Sequence, residues 1–138
     1  MGVKIYGVEG WVGGWMSGVR RFVVHEHFAL RAGLHYDLRL EWSGFLRDWA
    51  FRKAPPLECG VKRFGVAQPD HELYWLDYEG EIKGGYGAGV LRIWDRGTYQ
   101  LLRCEETIIK LYFHGARLLG KYVLTKFKNG WLLFKTKS

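Results

Sequence analysis

Leu34-His35-Tyr36-Asp37-Leu38-Arg39-Leu40-Glu41-Trp42 is the stretch that decides the fold class. In it Leu34, Tyr36, Leu38, Leu40 and Trp42 alternate with His35, Asp37, Arg39 and Glu41. Successive side chains of a strand leave opposite faces, so this alternation predicts a strand with one face in a core. The other face then gathers His35, Asp37 and Arg39. Working outward, Ser43-Gly44 supplies a turn into a second strand, Phe45 to Lys53, which Pro55-Pro56 stops. Upstream, Arg21 to Phe28 reads as a strand. Downstream, strands are expected at Val61 to Gln68, Val90 to Asp95, Thr98 to Cys104, Ile108 to His114, Gly120 to Phe127 and Trp131 to Lys135. Asn129-Gly130 is a two-residue hairpin signal between the last two. No stretch keeps a 3.6-residue period, so the expectation is an all-β domain. Many short strands, with Gly84, Gly85, Gly87 and Gly89 for sharp bends, suggest a small barrel or strongly curved sandwich.

A chain of 138 residues fits one domain with a real core. Residues 1–20 hold six glycines with Trp11 and Trp15, and are expected as an irregular lead-in that docks through the tryptophans. Residues 21–138 form the domain proper. Lys and Arg number 21 against 14 Asp and Glu, a formal charge of +7 that favours anionic partners such as nucleic acid. Cys59 and Cys104 are too few for a disulfide framework and lack metal-ligand spacing, which points to a reduced compartment. With no apolar run long enough to cross a bilayer and no secretion signal, the expected location is cytoplasmic, without a membrane partner.

Four of the five histidines, His25, His27, His35 and His71, fall between residues 25 and 71. One histidine alternating with apolar residues is usually a solvated outer-face residue. The constellation argues otherwise. If Arg21 to Phe28 pairs with Leu34 to Trp42, then His27, His35 and Asp37 can surround one ion and leave coordination positions open. Two imidazoles and a carboxylate make a nitrogen and oxygen set suited to Mn, Fe, Co or Zn. His25-Glu26-His27 lacks the following Glu that an oxygenase facial set needs, so that reading is set aside. Arg39, two residues beyond Asp37, is expected on the same face, with Lys53, Arg63 and His71 as further cations able to neutralise a phosphoryl group. The run Gly84-Gly85-Tyr86-Gly87-Ala88-Gly89 lacks the Lys-Ser/Thr of a nucleotide-binding loop and precedes a strand, so it is read as structural only.

The order of Phe22-Val-Val-His-Glu-His27, Leu34-His-Tyr-Asp-Leu-Arg-Leu-Glu41, Trp49-Ala-Phe-Arg-Lys53, Asp70-His71, Gly84-Gly-Tyr-Gly-Ala-Gly89, Trp94-Asp-Arg-Gly97 and Gly130-Trp-Leu-Leu-Phe-Lys135 resembles one family. It is similar to the 3′-phosphoesterase domain of bacterial DNA ligase D and its free-standing archaeal relatives, from about Arg21 to the C-terminus. That resemblance implies a compact single-domain β-barrel with a crescent-shaped active-site groove. It implies a manganese-dependent enzyme that processes DNA or RNA-tipped DNA 3′ ends during repair, removing a terminal ribonucleoside and then the 3′-phosphate, beside ligase or polymerase partners. Co²⁺ or Zn²⁺ would suit the same donors. By the resemblance, His27, His35 and Asp37 hold the metal. Arg39 and His71 contact phosphate, with His71 also a possible proton donor, and Lys53 and Arg63 support them.

His25, Tyr74 and Trp75 complete the expected substrate-binding set: His25 stands where the family has Gln, and Trp75 where it has a Tyr, with Tyr74 beside it. The gap from His27 to His35 is two residues longer than the family's, and Arg31-Ala32-Gly33 is expected to bulge and absorb it. The rival expectation is a catalytically inert β-barrel that grips single strands through cations and aromatics.

Overall fold

The computed structural model describes residues 3–5, 8–10 and 19–137. Trp11 and Trp15, through which the lead-in was expected to dock, lie outside the described residues. Where an irregular lead-in is expected, β1 (Val3–Ile5) and β2 (Val8–Gly10) form an antiparallel pair.

Nine further strands follow: β3 (Arg20–Ala29), β4 (Gly33–Trp42), β5 (Phe45–Phe51), β6 (Lys62–His71), β7 (Gly80–Ile82), β8 (Gly89–Cys104), β9 (Ile108–Gly115), β10 (Leu119–Phe127) and β11 (Gly130–Lys135). A short 3-10 turn, Leu73–Asp77, sits between β6 and β7. The antiparallel order β3-β4-β5-β6-β11-β10-β9-β8 closes back from β8 onto β3, which makes a closed eight-stranded barrel. β7 pairs with the start of β8 beside that ring. Among the described residues no helix is long and apolar enough to cross a membrane.

Closure depends on β8. The sequence suggests two strands split at Arg96-Gly97, but the structure runs one strand of 16 residues through that point. Gly97 pairs with Phe22 of β3 on one side and Gly115 of β9 on the other. A Cβ at Gly97 would lie 2.2 Å from the His114 carbonyl oxygen, so glycine permits the close approach that the double pairing needs. Asp95 is buried and makes no turn of its own. Its carboxylate accepts the backbone N–H groups of Ala116, Arg117 and Leu118, fixing the β9–β10 connection.

Ser43 and Gly44 both take positive φ and join β4 to β5 as expected. The last hairpin turns one residue earlier than the Asn-Gly signal indicates. Phe127 pairs with Gly130, so Lys128-Asn129 form the loop and Lys128 takes the positive φ. Gly130 is instead needed within the strand, where a Cβ would meet the Phe64 ring at 2.4 Å.

The alternation in the sequence produces two separate cores. Phe22, Val24, Leu38, Leu40, Trp49, Phe51, Phe113, Tyr122 and Leu133 fill the barrel interior. Each contributes about 1.5–3 kcal/mol through burial. The opposite parity, Val23 on β3 and Leu46 on β5, forms a second, smaller cluster on the outside of the barrel with Leu76 from the 3-10 turn. That turn therefore packs down on the outer face of the sheet, where the histidines emerge.

Candidate metal centre and anion site

His25 and His27 leave β3 on its outer face, and His35, Asp37 and Arg39 leave β4 on the same face. Antiparallel register sets them opposite one another: His27 faces His35, His25 faces Asp37, and Val23 faces Arg39. The two additional residues between the histidines do not bulge within a strand. They sit in the connection Leu30–Ala32, with Ala29 paired to Gly33, so the cross-strand pairing survives.

Asp37 lies between the two imidazoles. His27 Nδ1 is 3.2 Å from Asp37 Oδ2, and His35 Nε2 is 3.2 Å from Asp37 Oδ1. One ligand atom from each of the three falls within 4.8 Å of the other two. The far nitrogens are also committed: His27 Nε2 donates to the Gly87 carbonyl at 2.8 Å, and His35 Nδ1 donates to the Gly33 carbonyl at 3.3 Å. A carbonyl can only accept, so the far nitrogens carry the N–H in these bonds, and the inner ones, Nδ1 of His27 and Nε2 of His35, are the nitrogens left for Asp37 or for a metal. Outer hydrogen bonds to backbone carbonyls are the usual support of metal-ligating histidines. The donor set and its support fit a divalent transition metal held by His27, His35 and Asp37.

Burial alone would raise the Asp37 pKa, yet hydrogen bonds from His27 and His35 and the Arg39 charge outweigh it and hold the carboxyl well below the usual carboxylate range. Asp37 is therefore ionised at neutral pH, as a metal ligand must be. The same Asp37 hydrogen bond raises the His35 pKa, against the lowering effect of burial.

Arg39 is buried and held on three sides. Its Nη2 donates to Asp37 at 3.3 Å, its Nη1 to Asp48 at 2.5 Å, and its Nε to His25 Nδ1 at 3.0 Å. A guanidinium carries five N–H donors, so two remain for an anion in the cavity that Arg39 lines. His25 is fully buried; its Nε2 donates to the Tyr78 carbonyl at 2.8 Å. Burial, and then the Arg39 charge, push its pKa down to about 4. A neutral His25 that accepts from Arg39 is a support behind the guanidinium. It does not line the cavity, which corrects its expected place among the substrate contacts.

A cavity of about 330 Å³ opens in front of these groups, lined by His27, His35, Asp37, Arg39, Asp48 and His71, with Trp75 and Tyr86 at its sides. His71 arrives because β6 continues through Pro69 to its pairing with Leu46, past a register shift against β5 between Leu46 and Asp48. Its Nδ1 forms a close ion pair with Asp48. That hydrogen bond raises the His71 pKa, and burial opposes it. Trp75, from the 3-10 turn, stands 5.9 Å from the Arg39 guanidinium and edge-on to His71.

Three expected contacts lie elsewhere. β5 ends at Phe51, so Lys53 falls in the exposed bend before Pro55 and does not line the cavity. Arg63 pairs opposite Leu133 and donates from Nε to the Ala54 carbonyl at 2.8 Å, away from the cavity. Tyr74 is 60% exposed and lies against Trp75 without reaching the cavity, so Trp75 is the aromatic that does. The glycine run is more than structural, since Gly87 anchors His27 and both Gly87 and Tyr86 line the cavity.

With this geometry in view, the family model described as the DNA ligase D 3′-phosphoesterase domain matches residues 25–126, a span that includes the three candidate ligands, Arg39, Asp48 and His71. The chain belongs to the DNA ligase D 3′-phosphoesterase domain family. Its relatives include the multifunctional non-homologous end joining protein LigD of Pseudomonas aeruginosa, 38% identical over 132 residues that cover 88% of this chain and 16% of that protein. The multifunctional non-homologous end joining DNA repair protein LigD of Mycobacterium tuberculosis is 40% identical over 126 residues, covering 85% of this chain and 16% of the relative. That of Mycolicibacterium smegmatis is 40% identical over 131 residues, covering 85% and 17%. This phosphoesterase-family chain thus spans about one sixth of the length of the curated relatives it matches. These bacterial relatives lend no support to a free-standing archaeal resemblance.

Proposed function

We propose that this chain is a manganese-dependent 3′-end-processing phosphoesterase of DNA repair, removing a 3′-phosphate, and a 3′-terminal ribonucleoside, from primer strands. Family membership supports the hydrolase class and a place in end-joining repair. The observation that carries the reading is the juxtaposition of an open two-imidazole, one-carboxylate set with a buried guanidinium that keeps two donors for an anion. A bound Mn²⁺, or Co²⁺ or Zn²⁺ on the same donors, supplies Lewis acidity toward a phosphoryl oxygen and a water acidic enough to act near neutral pH.

The chain's own residues account for the rest. Arg39, immobilised by Asp37, Asp48 and His25, presents a preorganised positive charge to the non-bridging phosphate oxygens, where it stabilises charge in the transition state. His71 Nε2 is left to face the cavity once Nδ1 is engaged by Asp48. Protonated, it contacts the phosphate and can pass its proton to the departing oxygen, the ribonucleoside's 5′ oxygen in the first step and the strand's 3′ oxygen in phosphate removal, as the phosphorus–oxygen bond breaks and water's oxygen takes its place. Trp75 covers one flank and limits water around Arg39. A cavity of about 330 Å³ suits a terminal nucleotide unit in addition to the phosphate, and the +7 charge favours a nucleic-acid substrate.

The test offers the purified protein two labelled primers, one ending in a 3′-phosphate and one in a ribonucleotide, with and without Mn²⁺. Metal-dependent conversion of both to a 3′-hydroxyl is expected. Product from neither primer, with binding retained, would instead establish the inert single-strand binder.

A further inference from the structure

We propose that Asp48 is a positioning residue that locks Arg39 and His71 into one two-pronged clamp for a phosphate group. The inference rests on the phosphoesterase reading and adds a residue to its machinery. Arg39 comes from β4 and His71 from the end of β6, and Asp48 stands on β5, the strand between them. Its side chain is 1% exposed, and its Oδ2 meets both Arg39 Nη1 and His71 Nδ1. Among the described residues its Oδ1 is buried with no hydrogen-bond partner. The cost of burying this carboxylate is therefore offset at one oxygen, by the Arg39 guanidinium and the His71 imidazole together, and either side chain that turned away would take one of its two partners from it.

Two consequences follow for the anion. Arg39 keeps its remaining N–H donors aimed outward because Asp48, Asp37 and His25 fix the guanidinium plane. With Nδ1 engaged, His71 offers Nε2 to the cavity, and the Asp48 charge favours its imidazolium form against the opposing effect of burial. Asp48 is not one of the residues gathered around the candidate metal. Its removal should disturb anion capture and leave metal uptake intact.

Asp48→Asn keeps the shape and removes the charge. In this variant the His71 pKa, followed by nitrogen-detected imidazole NMR, should fall by about one unit or more. The alkaline limb of kcat/KM on a 3′-phosphate primer should move to lower pH with it. Affinity for inorganic phosphate should drop about tenfold or more at pH 8 and much less at pH 6, where imidazole protonates unaided. Asp48→Glu, which restores the charge, should recover more phosphate affinity than Asp48→Asn, and Mn²⁺ affinity should stay near wild type in both. An unshifted His71 titration with wild-type phosphate affinity in Asp48→Asn overturns the proposal, and so does an equal loss at every pH with no gain in Asp48→Glu. The wild-type chain is a test even if the variants fail to fold: a His71 that titrates at or below the ordinary 6.5 defeats the idea. Should wild type leave the 3′-phosphate primer intact, the phosphoesterase reading fails, while the His71 titration and phosphate affinity still judge Asp48.

Discussion

His27 and His35 are register partners across β3 and β4, with ring centroids 4.5 Å apart and Asp37 between their inner nitrogens. All three side chains project from the outside of the barrel, so none contributes to the interior packing of Phe22, Val24, Leu38 and Leu40. His35→Ala and Asp37→Ala should therefore lower turnover by more than about 100-fold and weaken Mn²⁺ binding to a similar degree. Far-UV circular dichroism should remain near wild type in both, and the cooperative melt should be lowered more by Asp37→Ala, whose ionised carboxylate is held by His27, His35 and Arg39, than by His35→Ala. Wild-type activity in either variant would refute the ligand assignment.

His25 stands one layer behind Arg39. A hydrogen bond to a charged group is worth about 1.5–3 kcal/mol, so His25→Ala should reduce kcat/KM by roughly 10- to 100-fold. His25→Gln can still accept from Arg39 Nε through its side-chain oxygen, and should stay within a few-fold of wild type. Equal losses in the two variants would show that packing, and not the bond to Arg39, is what His25 supplies.

The pH dependence follows from His71, whose hydrogen bond to Asp48 raises its pKa above the ordinary imidazole value. The protonated form is the one that contacts phosphate and donates a proton. kcat/KM should therefore hold on the acid side of that raised value and fall as pH rises through it. The linked contribution to stability has the same sign: it is fully present below pH 6.5 and is lost as pH climbs past the folded-state pKa. His71→Gln should abolish the alkaline limb. An alkaline limb that survives in this variant would assign the titration to another group.

Much of this site was legible in the chain of residues, and the limits are physical. Strict alternation from Leu34 to Trp42 separates core from site because a one-residue slip would exchange the two faces. Asp48 could also have been found by arithmetic. The two-residue turn Ser43-Gly44 pairs Trp42 with Phe45, and counting back along both strands places Arg39 opposite Asp48. The carbonyls of Gly87 and Tyr78 left no such signal, since a backbone oxygen has no residue type and both lie more than 50 positions from the histidines they hold. Lys53 and Arg63 illustrate the converse error. Charge and proximity in sequence suggested phosphate contacts, but strand ends and the direction of the pleat decide which way a side chain points.

The division into two cores gives the last prediction. Leu38 is fully buried in the barrel interior, and Leu38→Ala should cost about 2–5 kcal/mol of global stability. Leu76 is nearly as buried, but it belongs to the small outer cluster with Val23 and Leu46 that seats the 3-10 turn over the site. A segment tied down by so few apolar contacts can open locally without unfolding the barrel. Leu76→Ala should thus lower the denaturation midpoint less than Leu38→Ala does. It should also reduce kcat/KM more, because Trp75 loses its place beside Arg39 and the Tyr78 carbonyl loses its hold on His25. Denaturant melts and steady-state kinetics on the same two variants decide the matter: if Leu76→Ala is the more destabilising change and the less damaging to catalysis, the outer cluster belongs to the barrel's stability and not to the site.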